Sequence, residues 1–235
     1  PVRRNYYALM INALTDLDVK TIGIDVLFEN PSLEYPEYDQ LLAHVTQSSK
    51  RVVLNSYFRS QEKGAVDAQL ENLDAFHFPQ VADVALNGSE LHVPFSSLLN
   101  AAEGIGHANV SAETNLPLFV SYGKGIVPSF GAELLRVFCN AERAAVSFNH
   151  STVSLKRDGR LQEINTTEKA EVSLNYPGPI SSFAAYPFLE VLKSYDALRA
   201  GAPLSESSLR AKIPVQTFKG KIILIGVIAE GRTET

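Results

Sequence analysis

Asp25 interrupts an otherwise apolar run, TIGIDVLF at positions 21–28. A carboxylate in such a strand makes Asp25 the strongest candidate for a functional residue in this sequence. It lies toward the carboxyl end of this predicted strand, where open α/β sheets place their ligand crevices. A carboxylate buried in such a sheet must be hydrogen-bonded, ion-paired or protonated. Two interpretations therefore stay open: Asp25 holds neighbouring loop amides, or it takes part in ligand binding or signal transfer.

Three more polar residues are candidates for ligand binding alongside Asp25. Asn55 lies near the end of the second predicted strand, RVVLNSYF at positions 51–58, and borders the same crevice if the two strands are parallel neighbours. His107 and Asn109 are two positions apart in the predicted strand HANV, so they share one face of it. That face is either a pocket wall or a solvent-exposed surface.

The other motifs that carry chemistry are incomplete or absent in the sequence. The string GIGHAN lacks the third glycine of a phosphate-binding loop, and a strand follows it where a helix N-terminus is needed. The five histidines have no spacing suited to a metal, and no GxSxG, HExxH, P-loop or EF-hand pattern occurs. Cys139 is the single cysteine, which excludes an internal disulfide. We therefore expect no catalytic residues, no metal and no cofactor.

Composition and charge restrict the class of protein further. The chain has 235 residues, of which 45% are hydrophobic and 20% charged, so it can form one domain, 1–235, with its own core. Its net charge of -5 and scattered basic residues offer no surface for nucleic acid.

No run approaches the roughly 20 apolar residues of a membrane-spanning helix. Because the chain begins with Pro1 and stops in the charged string AEGRTET, we expect an excised piece of a longer protein.

The elements that must position Asp25 and Asn55 follow from hydrophobic spacing. Tyr6, Leu9 and Leu14 predict one apolar face of a first helix, and a second helix is predicted over 38–48. Helix, apolar strand, helix and strand in this order indicate a parallel sheet. The second fully apolar run, at 222–228, is expected beside 21–28, with both strands central because neither suits a solvent-exposed face. Residues 61–87 are expected to form a long connection with short helical pieces.

From Gly106 the pattern changes to short strands separated by Gly, Asn and Pro, which predicts an antiparallel meander. A helix over AELLRVFCNAER interrupts it, and a last helix is predicted at 188–200. The predicted fold class is therefore α/β: a mixed sheet with parallel central strands flanked by helices, plus an antiparallel strand meander in the middle of the chain. The short strands are HANV, LPLFVSY, GIVPS, AAVSF, STVSL, LQEIN and EVSLNY.

Four strings, taken in order, resemble the CHASE2 domain family. They are TIGIDVLFENP, then GHANV followed by LPLFVSYGKGIVPSFGAELLR, then LNYPGP, and finally FKGKIILIGVIAEG. Each string alone is common in α/β proteins, but their order and spacing carry the match. The resemblance covers positions 21–231, which is nearly the whole chain.

The resemblance implies an extracytoplasmic sensor domain of a bacterial membrane receptor, joined to the membrane by flanking helices that this chain lacks. Such domains feed cytoplasmic histidine kinases, nucleotide cyclases, diguanylate cyclases or Ser/Thr kinases. We expect an unknown small molecule or protein as the stimulus, and a homodimer through an outer helix. Two rival functions stay open: a passive partner-binding module, and a hydrolase-like enzyme in which Asp25 and a nearby histidine act as acid and base. The enzyme lacks any recognisable nucleophile or metal set.

Overall fold

The structure is a computed structural model that describes residues 2–59, 76, 78, 87–109, 115–123, 125–149, 151–157, 160–175, 178, 182–200 and 213–227. The described residues form five α-helices and twelve strands. The helices are α1 (Arg4–Asp16), α2 (Pro36–Ser49), α3 (Ser96–Ala101), α4 (Phe130–Phe138) and α5 (Phe188–Arg199). The strands are β1 (Thr21–Asp25), β2 (Val52–Arg59), β3 (Ser89–His92), β4 (Gly104–His107), β5 (Asn115–Pro117), β6 (Phe119–Tyr122), β7 (Gly125–Pro128), β8 (Val146–Asn149), β9 (Thr152–Arg157), β10 (Arg160–Asn165), β11 (Glu171–Ser173) and β12 (Ile222–Gly226).

The main sheet has five strands in the order β12-β1-β2-β3, and β4 also pairs with β2. Strands β12, β1, β2 and β4 are parallel, while β3 is antiparallel to the end of β2. The predicted α/β class with a mixed sheet is therefore confirmed. Parallel pairing of β1 with β12 and with β2 also agrees with the sequence prediction.

Helices cover the two faces of this sheet unequally. On one face, α1, α2 and α3 enclose the largest apolar core, which includes Ile22, Ile24, Leu54 and Ile105 from the strands. On the other face lies the short helix α4, which packs over β4, β2 and β1. Ser129 begins α4 by accepting a 3.2 Å hydrogen bond from a backbone amide of its first turn.

The predicted face of α1 is only partly correct, although the helix itself is present. Leu14 is buried as expected, together with Met10 and Ile11, but Tyr6 and Leu9 are 40% and 49% exposed. Helix α1 has apolar residues on more than one side. Two overlapping sets of them therefore have the three- and four-residue spacing of an apolar face. Only contact with the sheet decides which set is covered.

The antiparallel meander was expected to begin after Gly106 with the strand HANV, but Gly106 and His107 belong to the strand β4, which is parallel to β2. A Cβ at Gly106 would lie 2.5 Å from the Cα of Phe130 in α4. The glycine therefore permits helix α4 to lie directly on this strand.

The remaining strands form the predicted antiparallel meander around a second apolar core. Strands β8, β9 and β10 make a three-stranded sheet, β5 pairs with β11, and β6 pairs with β7. Val146, Val153 and Leu155 face the outer side of α4 within this core. Helix α4 thus lies between the two cores.

Strand β12 does not occupy the central position predicted for it. Within the described part of the chain it pairs with β1 alone, so it is an edge strand, and Leu224 is 63% exposed. Helix α4 covers the neighbouring strands but leaves this face of β12 open. An uninterrupted apolar run therefore did not mean burial on both faces. The connection predicted over 61–87 lies almost entirely outside the described residues.

The parallel strands give the main sheet two distinct edges. We name the carboxyl edge as the end of these strands, at Asp25, Asn55, His107 and Gly226, and the amino edge as their beginning. Helix α1 begins at the carboxyl edge, where Arg4 donates to the Asn30 carbonyl after β1. Strand β12 also ends at the carboxyl edge, so the beginning of the first helix and the end of the last strand lie at the same edge of the sheet.

Candidate functional site

Asp25 and Asn55 form the predicted polar pair at the carboxyl edge. The Nδ2 amide of Asn55 donates a 2.6 Å hydrogen bond to Oδ1 of Asp25, across the parallel pairing of β1 with β2. Both side chains lie on the face that carries α4, since Gly23, two residues before Asp25, contacts that helix. Asp25 is exposed rather than buried, so water and Asn55 share its solvation.

His107 lies on the opposite face of the same sheet and is fully buried. Its ring lies 5.8 Å from the ring of Phe58, and neither ring nitrogen has a hydrogen-bond partner among the described residues. Burial lowers the pKa of His107 to about 4, although a backbone contact with Asn109 opposes the shift. The imidazole is therefore neutral at neutral pH. Ser56, its register partner on β2, is also buried, and its hydroxyl has no hydrogen-bond partner in the part of the chain that the structure describes.

Asn109 holds the backbone of β2. Its Oδ1 accepts a 2.7 Å hydrogen bond from the amide of Phe58, and its Nδ2 donates a 2.8 Å bond to the carbonyl of the same residue. These two bonds continue the pairing of β4 with β2 beyond the last regular residue. The structure therefore brings Asp25 and Asn55 together, but not with His107 or Asn109. Ligand binding by these four residues stays a prediction.

A buried ion network lies under α4 and was not foreseen from the sequence. Glu133 is fully buried and accepts hydrogen bonds of 2.9 Å from both Nε and Nη2 of Arg136 and of 2.7 Å from Arg143. Arg136 also donates to the carbonyls of Ala141 and Glu103. Burial lowers the pKa of Arg143, and the adjacent Glu133 carboxylate opposes this effect. In sequence, Glu133 and Arg136 are an ordinary helical i,i+3 pair, so no local signal reveals their burial.

The amino edge holds a wide polar cleft of about 560 Å³. Its charged residues come from the loops that precede β1, β2 and β4 and from the end of α4. Parallel strands bring these loops together because all of their amino ends lie at one edge. The charged lining residues are Asp18, Lys20, Lys50, Arg51, Glu103 and Arg136.

Comparison with known protein families identifies the chain. A family model described as the CHASE2 domain matches residues 1–235, the full length of the sequence. The chain belongs to the CHASE2 family. CHASE2 domains are extracytoplasmic sensor modules of signalling receptors and are not catalytic. Neither a search of curated proteins nor a search of solved structures finds a match.

This CHASE2 domain has a second cleft, which is apolar and measures about 160 Å³. It lies between the outer side of α4 and the antiparallel strands, and Phe119, Leu135, Val153 and Val172 are among its lining residues. Arg136 also borders it, but its guanidinium is occupied by the Glu133 network. The two clefts thus lie on different sides of the same helix.

Two searches of the described residues of this CHASE2 domain gave negative results. Among these residues, no helix is both long and apolar enough to cross a membrane. In the same part of the chain, no group of three or more His, Cys, Asp or Glu side chains could hold a metal ion.

Proposed function

We propose that this CHASE2 domain is the input domain of a bacterial membrane-anchored receptor that passes its stimulus through transmembrane helices to a cytoplasmic output domain. The output is a histidine kinase, an adenylate or guanylate cyclase, a diguanylate cyclase or a Ser/Thr kinase. The domain lies on the periplasmic or extracellular side of the cytoplasmic membrane, in keeping with the extracytoplasmic place of its family. A homodimer through an outer helix belongs to the same proposal.

The observation that carries the proposal is that α1 begins and β12 ends at the same edge of the main sheet, the carboxyl edge. Arg4 lies over the ring of Phe28, just beyond β1, while Gly226 is the register partner of Asp25. Chain segments that lead from α1 and β12 toward a membrane would therefore leave the domain from the same edge. A small shift of α1 against the sheet would change their separation.

Asp25 and Asn55 have a role in signal transfer under this proposal. Their hydrogen bond joins β1 to β2 at the edge where β12 leaves the sheet. A stimulus shifts the equilibrium only by its difference in affinity between two arrangements of the domain, and a coupling of about 1–3 kcal/mol is typical. Because the Asn55–Asp25 hydrogen bond links the ends of two adjacent strands, it can be formed in one arrangement of the domain and broken in the other.

The experiment uses the full-length receptor in its native membrane. Alkaline phosphatase fused after Ala200 should be active, because the proposal places α5 outside the cytoplasm. Replacing α1 to β12 by a flexible linker should leave a membrane-inserted protein whose output no longer changes with stimulus. Phosphatase activity confined to cytoplasmic fusions would overturn the location, and a stimulus response that survives the replacement would favour a passive partner-binding module.

A further inference from the structure

The charges that line the amino-edge cleft are unevenly compensated. Asp18 lies 3.3 Å from Arg51 and 3.4 Å from Lys219, and hydrogen bonds from Lys219 and Arg51 lower the pKa of Asp18. Glu103 lies 3.6 Å from Arg136. Both carboxylates of the lining are therefore already engaged by cations.

Two lysines of the same lining have no such compensation. Within the described residues, neither Lys20 nor Lys50 forms an ion pair. Lys20 is half-buried and lines the cleft, and its ammonium lies 5.2 Å from the centroid of the Phe138 ring. Lys50 is the left-handed residue that ends α2, at φ 53°. The cleft thus presents excess positive charge on a chain whose net charge is -5.

The size of the cleft indicates a small solute. A volume of about 560 Å³ lies within the range of roughly 300–1,000 Å³ that is typical of small-molecule sites. Its lining mixes charged groups with the apolar side chain of Val137. A long polyanion such as nucleic acid needs a broad basic surface instead, which the net charge does not provide.

From these observations we infer that the amino-edge cleft binds a small multivalent oxyanion, held by Lys20 and Lys50 with Arg51 beside them. The ligand carries carboxylate or phosphate groups, because an ammonium acts as a point charge that accepts either geometry. A bound anion would bridge the beginnings of β1 and β2. The inference deepens the proposed function by naming the chemical class of the stimulus.

The position of the cleft fits that role. It lies at the edge opposite to the one where α1 begins and β12 ends, and so faces away from the membrane in the proposed receptor. Helix α4 begins at the carboxyl edge, where Ser129 forms an isolated parallel β-bridge with His107. The last residues of the helix border the cleft. The helix therefore spans the distance between the ligand cleft and the signalling edge.

Calorimetric titration of the 235-residue chain with citrate, and separately with inorganic pyrophosphate, tests the inference. At an ionic strength of about 0.1 M, where the Debye length is about 10 Å, we expect saturable binding of one probe or both. The preferred probe separates carboxylate from phosphate ligands. Lys20→Glu/Lys50→Glu should weaken the binding by on the order of tenfold or more, because two attractions become repulsions. The milder pair Lys20→Gln/Lys50→Gln serves if charge reversal disturbs folding.

The matched control is Lys169→Glu/Lys193→Glu, which changes the net charge equally at exposed positions outside the cleft lining. Its affinity should stay within about twofold of the unchanged chain, because neither side chain lines the site and salt screens exposed charges. Equal weakening in both pairs would show general charge attraction, and absence of saturable binding to either probe would also overturn the inference. The receptor experiment above tests the signalling role independently of these titrations.

Discussion

At the carboxyl edge of the main sheet, polar side chains bind one another: Asn55 donates to Asp25, and Asn109 clamps the β2 backbone. At the amino edge, the cleft is wide and two lysines lack ion-pair partners among the described residues. The same parallel strands form both edges. Strand direction therefore places the wide charged cleft at one end of this sheet, and the beginning of α1 and the end of β12 at the other.

This division departs from the usual rule for open α/β sheets. In that rule, the ligand crevice lies outside the carboxyl ends of the strands, and loops at those ends carry the specific groups. Here the carboxyl ends of the strands lie where α1 begins and β12 ends. The larger cleft lies at the other edge. Each prediction below either breaks one edge or measures the difference between them.

The largest expected effect comes from the buried network beneath the amino edge. Glu133→Ala leaves the guanidinium groups of Arg136 and Arg143 without their buried carboxylate, so the free energy of unfolding should fall by about 3–5 kcal/mol. Urea denaturation measures the change. The control is Glu190→Ala, which removes an exposed i,i+3 pair with Lys193 and should cost less than about 1 kcal/mol. An equal decrease in the free energy of unfolding for the two variants would contradict the stabilising role of the buried Glu133 network.

A pH titration of stability sharpens the comparison at the carboxyl edge. The pKa of His107 is about 4 in the folded chain, below its ordinary 6.5, so the unfolded chain takes up the proton first as the pH falls. Stability should therefore decrease between pH 6.5 and 4, by on the order of 3 kcal/mol from this residue. His107→Leu should remove that part of the pH dependence, whereas His44→Leu, at an exposed position, should leave it intact. Identical profiles for all three proteins would rule out His107 as the source.

Gly106→Ala should disturb the contact that sets the start of α4. The new methyl would lie 2.5 Å from the Cα of Phe130, and overpacking against backbone costs about 1–3 kcal/mol. Thermal unfolding gives the change. Gly131→Ala is the control, because nothing lies within 4 Å of its Cβ position and a helical alanine stabilises by up to about 1 kcal/mol. A loss of stability in the control alone would contradict the close packing of β4 on α4.

The smallest effect on stability is expected for Asn55→Ala. It removes one exposed hydrogen bond to Asp25 and should cost about 1 kcal/mol or less. In the full-length receptor, the stimulus response should change, while anion affinity of the isolated chain stays within about twofold of the original. The response of Asp25→Ala should change in the same direction. An unaltered response in both membrane-inserted variants would remove this pair from signal transfer.

Much of the main sheet could be predicted because its signals are local. The apolar runs at β1 and β12, with a helix on either side of β1, predict the parallel pairing, and this pairing places Asn55 next to Asp25. The exposure of β12 could not be predicted in this way. Whether a helix reaches over a strand depends on the length and position of α4, which the strand's own residues do not encode.

The amino-edge cleft was missed for a related reason. Lys20, Lys50, Glu103 and Arg136 are far apart in the sequence, and each is unremarkable among its neighbours. Only the order of strands in the sheet brings them together. By contrast, burial of His107 has a weak local signal, since it directly follows the apolar string GIG, and that signal was outweighed by the usual exposure of histidine.

The pairing of β1 with β12 also has a consequence for how the chain folds. Their register partners, such as Thr21 and Ile222, are about 200 residues apart, whereas β9 and β10 form a local hairpin. Closing so long a loop is entropically costly, and contacts between distant segments slow folding. As the chain emerges from its amino end, one edge of β1 stays unpaired until nearly the whole domain has been delivered. That unpaired edge is open to non-native strand pairing until β12 is available.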